Sequence, residues 1–160
     1  MIFVTLGSQK FQFNRLLKEI DRLVEAGGIT DEVFAQIGYS DYIPKNYQYK
    51  EFLSREEFIE HEGKADIVIT HGGTGAIIGA VKKGKKVIAV PRLAKYGEHV
   101  DDHQLQLIEQ FDGMRLIEPC YDSNLLSKAY DICKNRKYKA YISNTNTIIN
   151  DIEKYLEVRK

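Results

Sequence analysis

The sequence predicts an α/β fold, an open and mainly parallel sheet with helices on both faces. Three observations carry this. Short unbroken apolar and β-branched runs (residues 2–6, 33–37, 66–70 and 87–90) have the pattern of strands covered on both sides. Stretches of helical period separate them. Glycine or proline closes nearly every run, and strands alternating with helices imply βαβ units.

Taken in order, residues 2–6 form a first strand, ended by Gly7 and Ser8. Phe13, Leu16, Leu17, Ile20, Leu23 and Val24 recur at helical spacing until Gly27-Gly28 stops the helix. Residues 33–37 and 47–52 read as the second and third strands. A short helix over residues 55–62 follows, with Ser54 as its N-cap and Phe58 and Ile59 facing inward. Residues 66–70 are the clearest buried strand and lead through His71-Gly72-Gly73-Thr74-Gly75 into a helix over residues 76–83, closed by Gly84. Residues 87–90 form the next strand, cut by Pro91, and residues 92–100 a polar loop. Asp101 or Asp102 caps a helix reaching Phe111; a last strand is expected over 114–117, then helices over 124–133 and 145–158. No repeat or linker interrupts residues 1–160, which are expected to form a single domain.

Composition excludes several classes. The 160 residues carry 23 basic and 23 acidic side chains, so broad attraction to nucleic acid or an anionic membrane is not expected, and a bound anion needs a local site. The 10 tyrosines are scattered and make no stacking platform for bases. Cys120 and Cys133 stand in no metal or redox spacing and read as reduced structural thiols. Residues 1–6 lack a basic region before the apolar run and read as a strand, not a targeting segment. No apolar run approaches the roughly 20 residues that span a bilayer. A cytoplasmic location is expected.

The strand–turn–helix at residues 71–75 is the strongest chemical signal. Glycines let backbone turn tightly and approach a ligand, and the free amides opening the next helix attract anions. A phosphate or diphosphate is the natural guest, with the Thr74 hydroxyl as a further donor. A plain βα turn also uses glycine, although three glycines in four positions exceed its needs. The Gly-x-x-x-x-Gly-Lys-Ser/Thr phosphate loop is absent, and the turn lies too late in the chain for a dinucleotide fingerprint.

A second cluster, Pro91-Arg92-Leu93-Ala94-Lys95-Tyr96-Gly97-Glu98-His99-Val100-Asp101-Asp102-His103-Gln104, lies past the carboxyl end of a parallel strand, where open α/β sheets bind ligands. Helix capping accounts for Asp101 or Asp102 but not for the whole set. His99 and His103 are four apart, a spacing that can share zinc, yet no third ligand accompanies them and no metal site is assigned. The turn Thr5-Leu6-Gly7-Ser8-Gln9 belongs at the same edge, either as ligand contact or as an ordinary βα turn.

Phe3-Val4-Thr5-Leu6-Gly7-Ser8 with Phe13-Asn14-Arg15-Leu16, then Ala65-Asp66-Ile67-Val68-Ile69-Thr70-His71-Gly72-Gly73-Thr74-Gly75, then Pro91 and Asp101-Asp102-His103-Gln104, resemble the C-terminal domain of glycosyltransferase family 28 in order and spacing. The resemblance covers nearly the whole chain. It is strongest to the separately encoded soluble halves of bacterial exopolysaccharide and capsule transferases, often described as galactosyltransferase enhancers. It extends to the soluble subunit of the eukaryotic transferase that adds N-acetylglucosamine to a dolichol-linked sugar. The resemblance implies a Rossmann-like half of a glycosyltransferase B architecture and a UDP-hexose as substrate, with no further cofactor. It also implies a membrane-associated partner that holds a lipid-linked acceptor and recruits the complex to the inner face of the membrane. By position, Gly72, Gly73, Thr74 and Gly75, with His71 before them, would cradle the diphosphate. Asp102, His103 and Gln104 would lie at the donor, His103 and Gln104 facing its sugar, and Gly7 and Ser8 would line the cleft. His99 and His103 are the candidates for a catalytic base. Two departures stand out: Gly79 occupies the position where the family carries an acid for the ribose hydroxyls, and Ala76 replaces a frequent serine.

Overall fold

The computed structural model describes residues 1–144; the helix expected over 145–158 lies outside them. Six strands form one sheet: β1 (Ile2–Thr5), β2 (Val33–Gln36), β3 (Gln48–Lys50), β4 (Ile67–His71), β5 (Lys86–Val90) and β6 (Glu118–Pro119). Their order is β3-β2-β1-β4-β5-β6, and every pairing is parallel. Five helices connect or cover them: α1 (Asn14–Glu25), α2 (Arg55–Lys64), α3 (Thr74–Lys82), α4 (His103–Gly113) and α5 (Leu126–Asn135).

Alternation along the strands creates two cores. Ile2, Val4, Ile67, Ile69, Ile88 and Val90 pack with Leu16, Leu17 and Ile20 of α1 and with Ala129, Tyr130 and Cys133 of α5. Phe3, Val68, Val87 and Ala89 pack with Ile77, Ala80 and Val81 of α3 and with Ile108 and Phe111 of α4. Phe3, fully buried and edge-on to Phe58 of α2 at 5.1 Å, contributes about 2–3 kcal/mol of transfer free energy by itself. Both faces are therefore covered, as the unbroken apolar strands require.

Most expected elements form within a residue or two of their expected ends. Ser54 caps α2 as read: its Oγ accepts from the Glu57 amide while the Glu57 carboxylate accepts from the Ser54 amide. Four details differ. Ile59, expected to face inward with Phe58, is half exposed, because α2 turns one narrow stripe to the sheet and Phe58 takes it. The sixth strand is not at residues 114–117 but at Glu118–Pro119, because Leu116 and Ile117 point into the α3–α4 core instead of pairing. Residues 123–125 form a 3-10 turn before α5 rather than its first turn. The loop after β5 contains a 3-10 turn at Ala94–Tyr96.

Candidate functional site

A parallel sheet brings the carboxyl ends of all its strands to one edge. Here that edge gathers the β1–α1 turn (Gly7, Ser8), the β4–α3 turn (Gly72, Gly73) and the β5–α4 loop (Pro91 to Asp102). The order reverses at β1 and β4, the switch point where open sheets leave a crevice.

His71 ends β4 and is buried. The Thr70 hydroxyl donates to the Thr5 carbonyl at 2.9 Å, so the oxygen of Thr70 is free only to accept from His71 Nδ1, 3.3 Å away. That assigns the ring proton to Nδ1 and leaves Nε2 as an acceptor, pressed between two glycines. A Cβ at Gly73 would lie 2.4 Å from Nε2, and one at Gly7 2.7 Å from Cε1. Gly7 also has φ 73°, a conformation costly for any other residue. Burial first, then the charge of Arg92, pushes the His71 pKa down to about 4, against a hydrogen bond to Thr5. The imidazole is neutral at pH 7.

Gly73 is the N-cap of α3 and supplies no side-chain cap. Among the described residues, no protein acceptor meets the amides of Gly73, Thr74, Gly75 or Ala76; the first helical bond runs from Ile77 N to Gly73 O. The α2 start, by contrast, is closed by its capping box. Thr74 and Gly75 are exposed, so this positive helix end opens to solvent.

The loop after β5 is anchored from beneath. Gln104 is buried, and its Oε1 accepts from both Gly72 N (3.2 Å) and Arg92 N (2.9 Å). It ties the β4–α3 turn to the end of β5 and fixes Gly72, whose Cβ would meet Gln104 Cβ at 2.7 Å. Glu98, fully buried, receives two hydrogen bonds from Arg15 of α1 (3.0 and 2.9 Å) and one from Leu93 N. Asp102 stands at the N-cap of α4, but its carboxylate accepts from Ala94 N; the side chain that accepts from the first helical amide, His103 N, is that of Asp101. That bond, aided by His99 and opposed by burial, holds the Asp101 carboxyl below its usual range. His99 lies 3.0 Å from Asp101 Oδ1 and packs on Phe11, while His103 is exposed at the start of α4.

Arg92 is the residue that the sequence did not single out. It is 1% exposed. Its Nη2 donates to the carbonyls of Leu6 (2.8 Å) and Phe11 (3.3 Å), while Nε and Nη1 have no partner among the described residues. Burial pushes its pKa down to about 10, partly opposed by Glu98, so it remains a cation. The only sequence signal is an arginine directly after the proline that ends a buried strand. The structure thus separates the candidates: Ser8, Thr74, Gly75, Asp102 and His103 are exposed, while His71, Gly72 and Gln104 lie behind them. A hollow of about 480 Å³ lies beside α1 and one of about 440 Å³ at the opposite edge, near Lys83 to Lys86; the glycine turns line neither. They form an open shelf.

The chain matches the family model of the glycosyltransferase family 28 C-terminal domain over residues 1–156. It belongs to that family. It is 27% identical over 128 residues to the human "UDP-N-acetylglucosamine transferase subunit ALG13", covering 68% of this chain and 10% of that protein. It is 26% identical over 171 residues to a Flavobacterium psychrophilum transferase named for N-acetylglucosamine transfer to a pyrophosphoryl-undecaprenol acceptor, covering 98% of this chain and 46% of that one. The chain therefore spans less than half the length of these curated relatives. Among solved structures, Acinetobacter baumannii MurG aligns with TM-score 0.59 at 17% identity, over 84% of this chain and 41% of that one. The solution structure of ALG13 aligns with TM-score 0.60 at 16% identity, over 94% and 93%. These likenesses show the fold, a Rossmann-like half of the glycosyltransferase B kind.

Proposed function

We propose that this family member is the UDP-sugar donor-binding half of a two-component inverting hexosyltransferase acting on a polyprenyl-linked acceptor in polysaccharide synthesis. The observation that carries the reading is the uncapped α3 N terminus, with four unmatched amides beside Gly7 and His71 at the sheet's switch point. An anionic leaving group suits it. Relatives named for UDP-linked sugars and for a lipid diphosphate acceptor support the substrate classes.

In the proposed reaction the acceptor hydroxyl attacks the anomeric carbon from the face opposite UDP. The carbon–phosphate oxygen bond breaks, its electron pair leaves on UDP, and the hydroxyl proton passes to a base. Amides of residues 73–76 stabilise the charge on the departing diphosphate without reorganising. Gln104 acts through the turn it holds. Ser8, Asp102 and His103 are exposed at the same edge of the sheet. The base is His99, backed by Asp101, or His103, or a group on the partner; the partner also holds the acceptor and recruits this chain to the inner membrane face. No helix among the described residues is long and apolar enough to cross a membrane.

Gly79 favours a second reading, a non-catalytic enhancer of the partner. A Cβ there would meet only Glu62 Oε1 at 3.8 Å, so the acid missing from this position is not excluded by space. Titration calorimetry with UDP and UDP-hexoses, with and without the partner, separates the two. Saturable UDP binding supports the donor-binding reading; absence of binding in both settings refutes it and leaves the enhancer.

A further inference from the structure

The glycine turns carry no lysine or arginine of their own between residues 71 and 76, and a helix end offers only partial charge. A whole positive charge lies directly behind them. Arg92 holds the carbonyl of Leu6, next to Gly7, and its backbone amide shares the Gln104 oxygen with the amide of Gly72. It therefore touches the support of both turns. We propose that Arg92 is the counter-charge by which this site recognises a diphosphate, acting through its field from beneath the glycine turns. This rests on the nucleotide-sugar reading and deepens it.

A purely mechanical clamp accounts for the two bonds to Leu6 and Phe11, but a neutral donor serves that purpose. A guanidinium adds a charge, and burying a charge without a partner is among the costliest things a fold can do. The nearby carboxylate does not neutralise it by contact: Glu98 is committed to Arg15 and to Leu93 N. Among the described residues Nε and Nη1 stay unmatched, and the guanidinium otherwise meets only the ring of Phe13, 5.5 Å away. His71 reports where the field reaches. Its ring sits against Gly7 and Gly73, and after burial the charge of Arg92 is the next influence keeping a proton off it. A potential that repels a proton there attracts an anion there, and little water intervenes to screen it.

The test compares uridine, UDP and inorganic pyrophosphate on the wild type, Arg92→Met and Arg92→Lys, each checked for folding by circular dichroism. Arg92→Met removes the charge at similar volume. Its affinity for UDP and for pyrophosphate is expected to fall at least about tenfold, or about 1.4 kcal/mol, with uridine changed less than about twofold. Arg92→Lys keeps the charge and loses the fork, so its preference for UDP over uridine should persist. Unchanged UDP affinity in Arg92→Met overturns the proposal, as does a parallel loss of uridine, which marks a clamp. Should Arg92→Met fail to fold, Arg92→Lys decides: loss of the UDP preference despite retained charge overturns it. A wild type that binds uridine and UDP equally rejects the role of Arg92 alone. A wild type that binds none of the three, alone or with the partner, rejects the nucleotide reading, and this proposal with it.

Discussion

Replacing Gly73 by alanine tests how tightly the candidate site is built. The backbone at Gly73 has φ −77°, which alanine adopts freely, so the effect is steric. The new Cβ would stand 2.4 Å from His71 Nε2, whereas ordinary contact begins at 3.4 Å, so the ring must retreat by 3.4 − 2.4, about 1 Å. It has little room, because Gly7 lies against the same ring and its Nδ1 bond to Thr70 anchors the other side. Overpacking of this kind costs about 1–3 kcal/mol. At roughly 2–4 °C per kcal/mol for a domain of this size, the melting temperature falls by roughly 2–12 °C. Gly75→Ala is the internal control. Nothing lies within 4 Å of its Cβ, so it should hold or raise the melting temperature, alanine being the better helix former. Calorimetric melting of the two variants beside wild type is the assay. A Gly73→Ala curve that overlays wild type would show that His71 is not packed on the turn, and the site geometry drawn from that packing would go with it.

Three further outcomes are expected. His71 keeps a pKa of about 4 when folded against an ordinary 6.5, so the unfolded chain takes up its proton first as pH falls. Stability tied to neutral His71, on the order of 3 kcal/mol, is present above pH 6.5 and lost between 6.5 and 4; denaturant titrations should show that slope, and His71→Asn should flatten it. Glu98→Gln strands Arg15 and weakens the anchor of the β5–α4 loop; with the Glu98 side chain 1% exposed, a loss of about 3–5 kcal/mol is expected from urea unfolding, and a loss below about 1 kcal/mol would show the pair to be unimportant. UDP affinity should survive EDTA, since no group of three metal-ligating side chains forms among the described residues; restoration of lost binding by a divalent ion would contradict this.

Local chemistry was legible and long-range chemistry was not. The periodicity of residues 13–24 and the Ser54 N-cap announce α1 and the start of α2 because their partners lie within a few residues. The glycine turn was legible because a strand and a helix flank it. Leu116 and Ile117 misled because an apolar pair reads alike whether it pairs in a sheet or fills a core. The anchoring of residues 92–102 was hidden because Arg15 and Glu98 stand 83 positions apart. The same distance argument applies to Gln104, whose polar end, read as ligand-facing by resemblance, spans two amides 32 and 12 positions away. Arg92 was hidden for another reason. A sequence says that an arginine exists but not that its charge is roofed by Leu6 and Phe11.

The division between buried and exposed candidates bears on why such a chain would need a partner. The buried layer, His71, Gly72, Arg92 and Gln104, is locked by packing and hydrogen bonds and sets the potential of the edge. The exposed layer, Ser8, Thr74, Gly75, Asp102 and His103, lies open to solvent, and the glycine turns line neither the hollow beside α1 nor the one near Lys83 to Lys86. Electrostatic stabilisation of a leaving diphosphate depends on excluding water, since the attraction between unit charges falls several-fold as the surroundings pass from a protein-like to an aqueous dielectric. An open shelf can therefore hold UDP yet stabilise its departure poorly. A second domain closing over the shelf would strengthen every contact already present and bring the acceptor hydroxyl to the face opposite UDP. On the proposed reading, binding belongs to this chain and turnover to the closed pair.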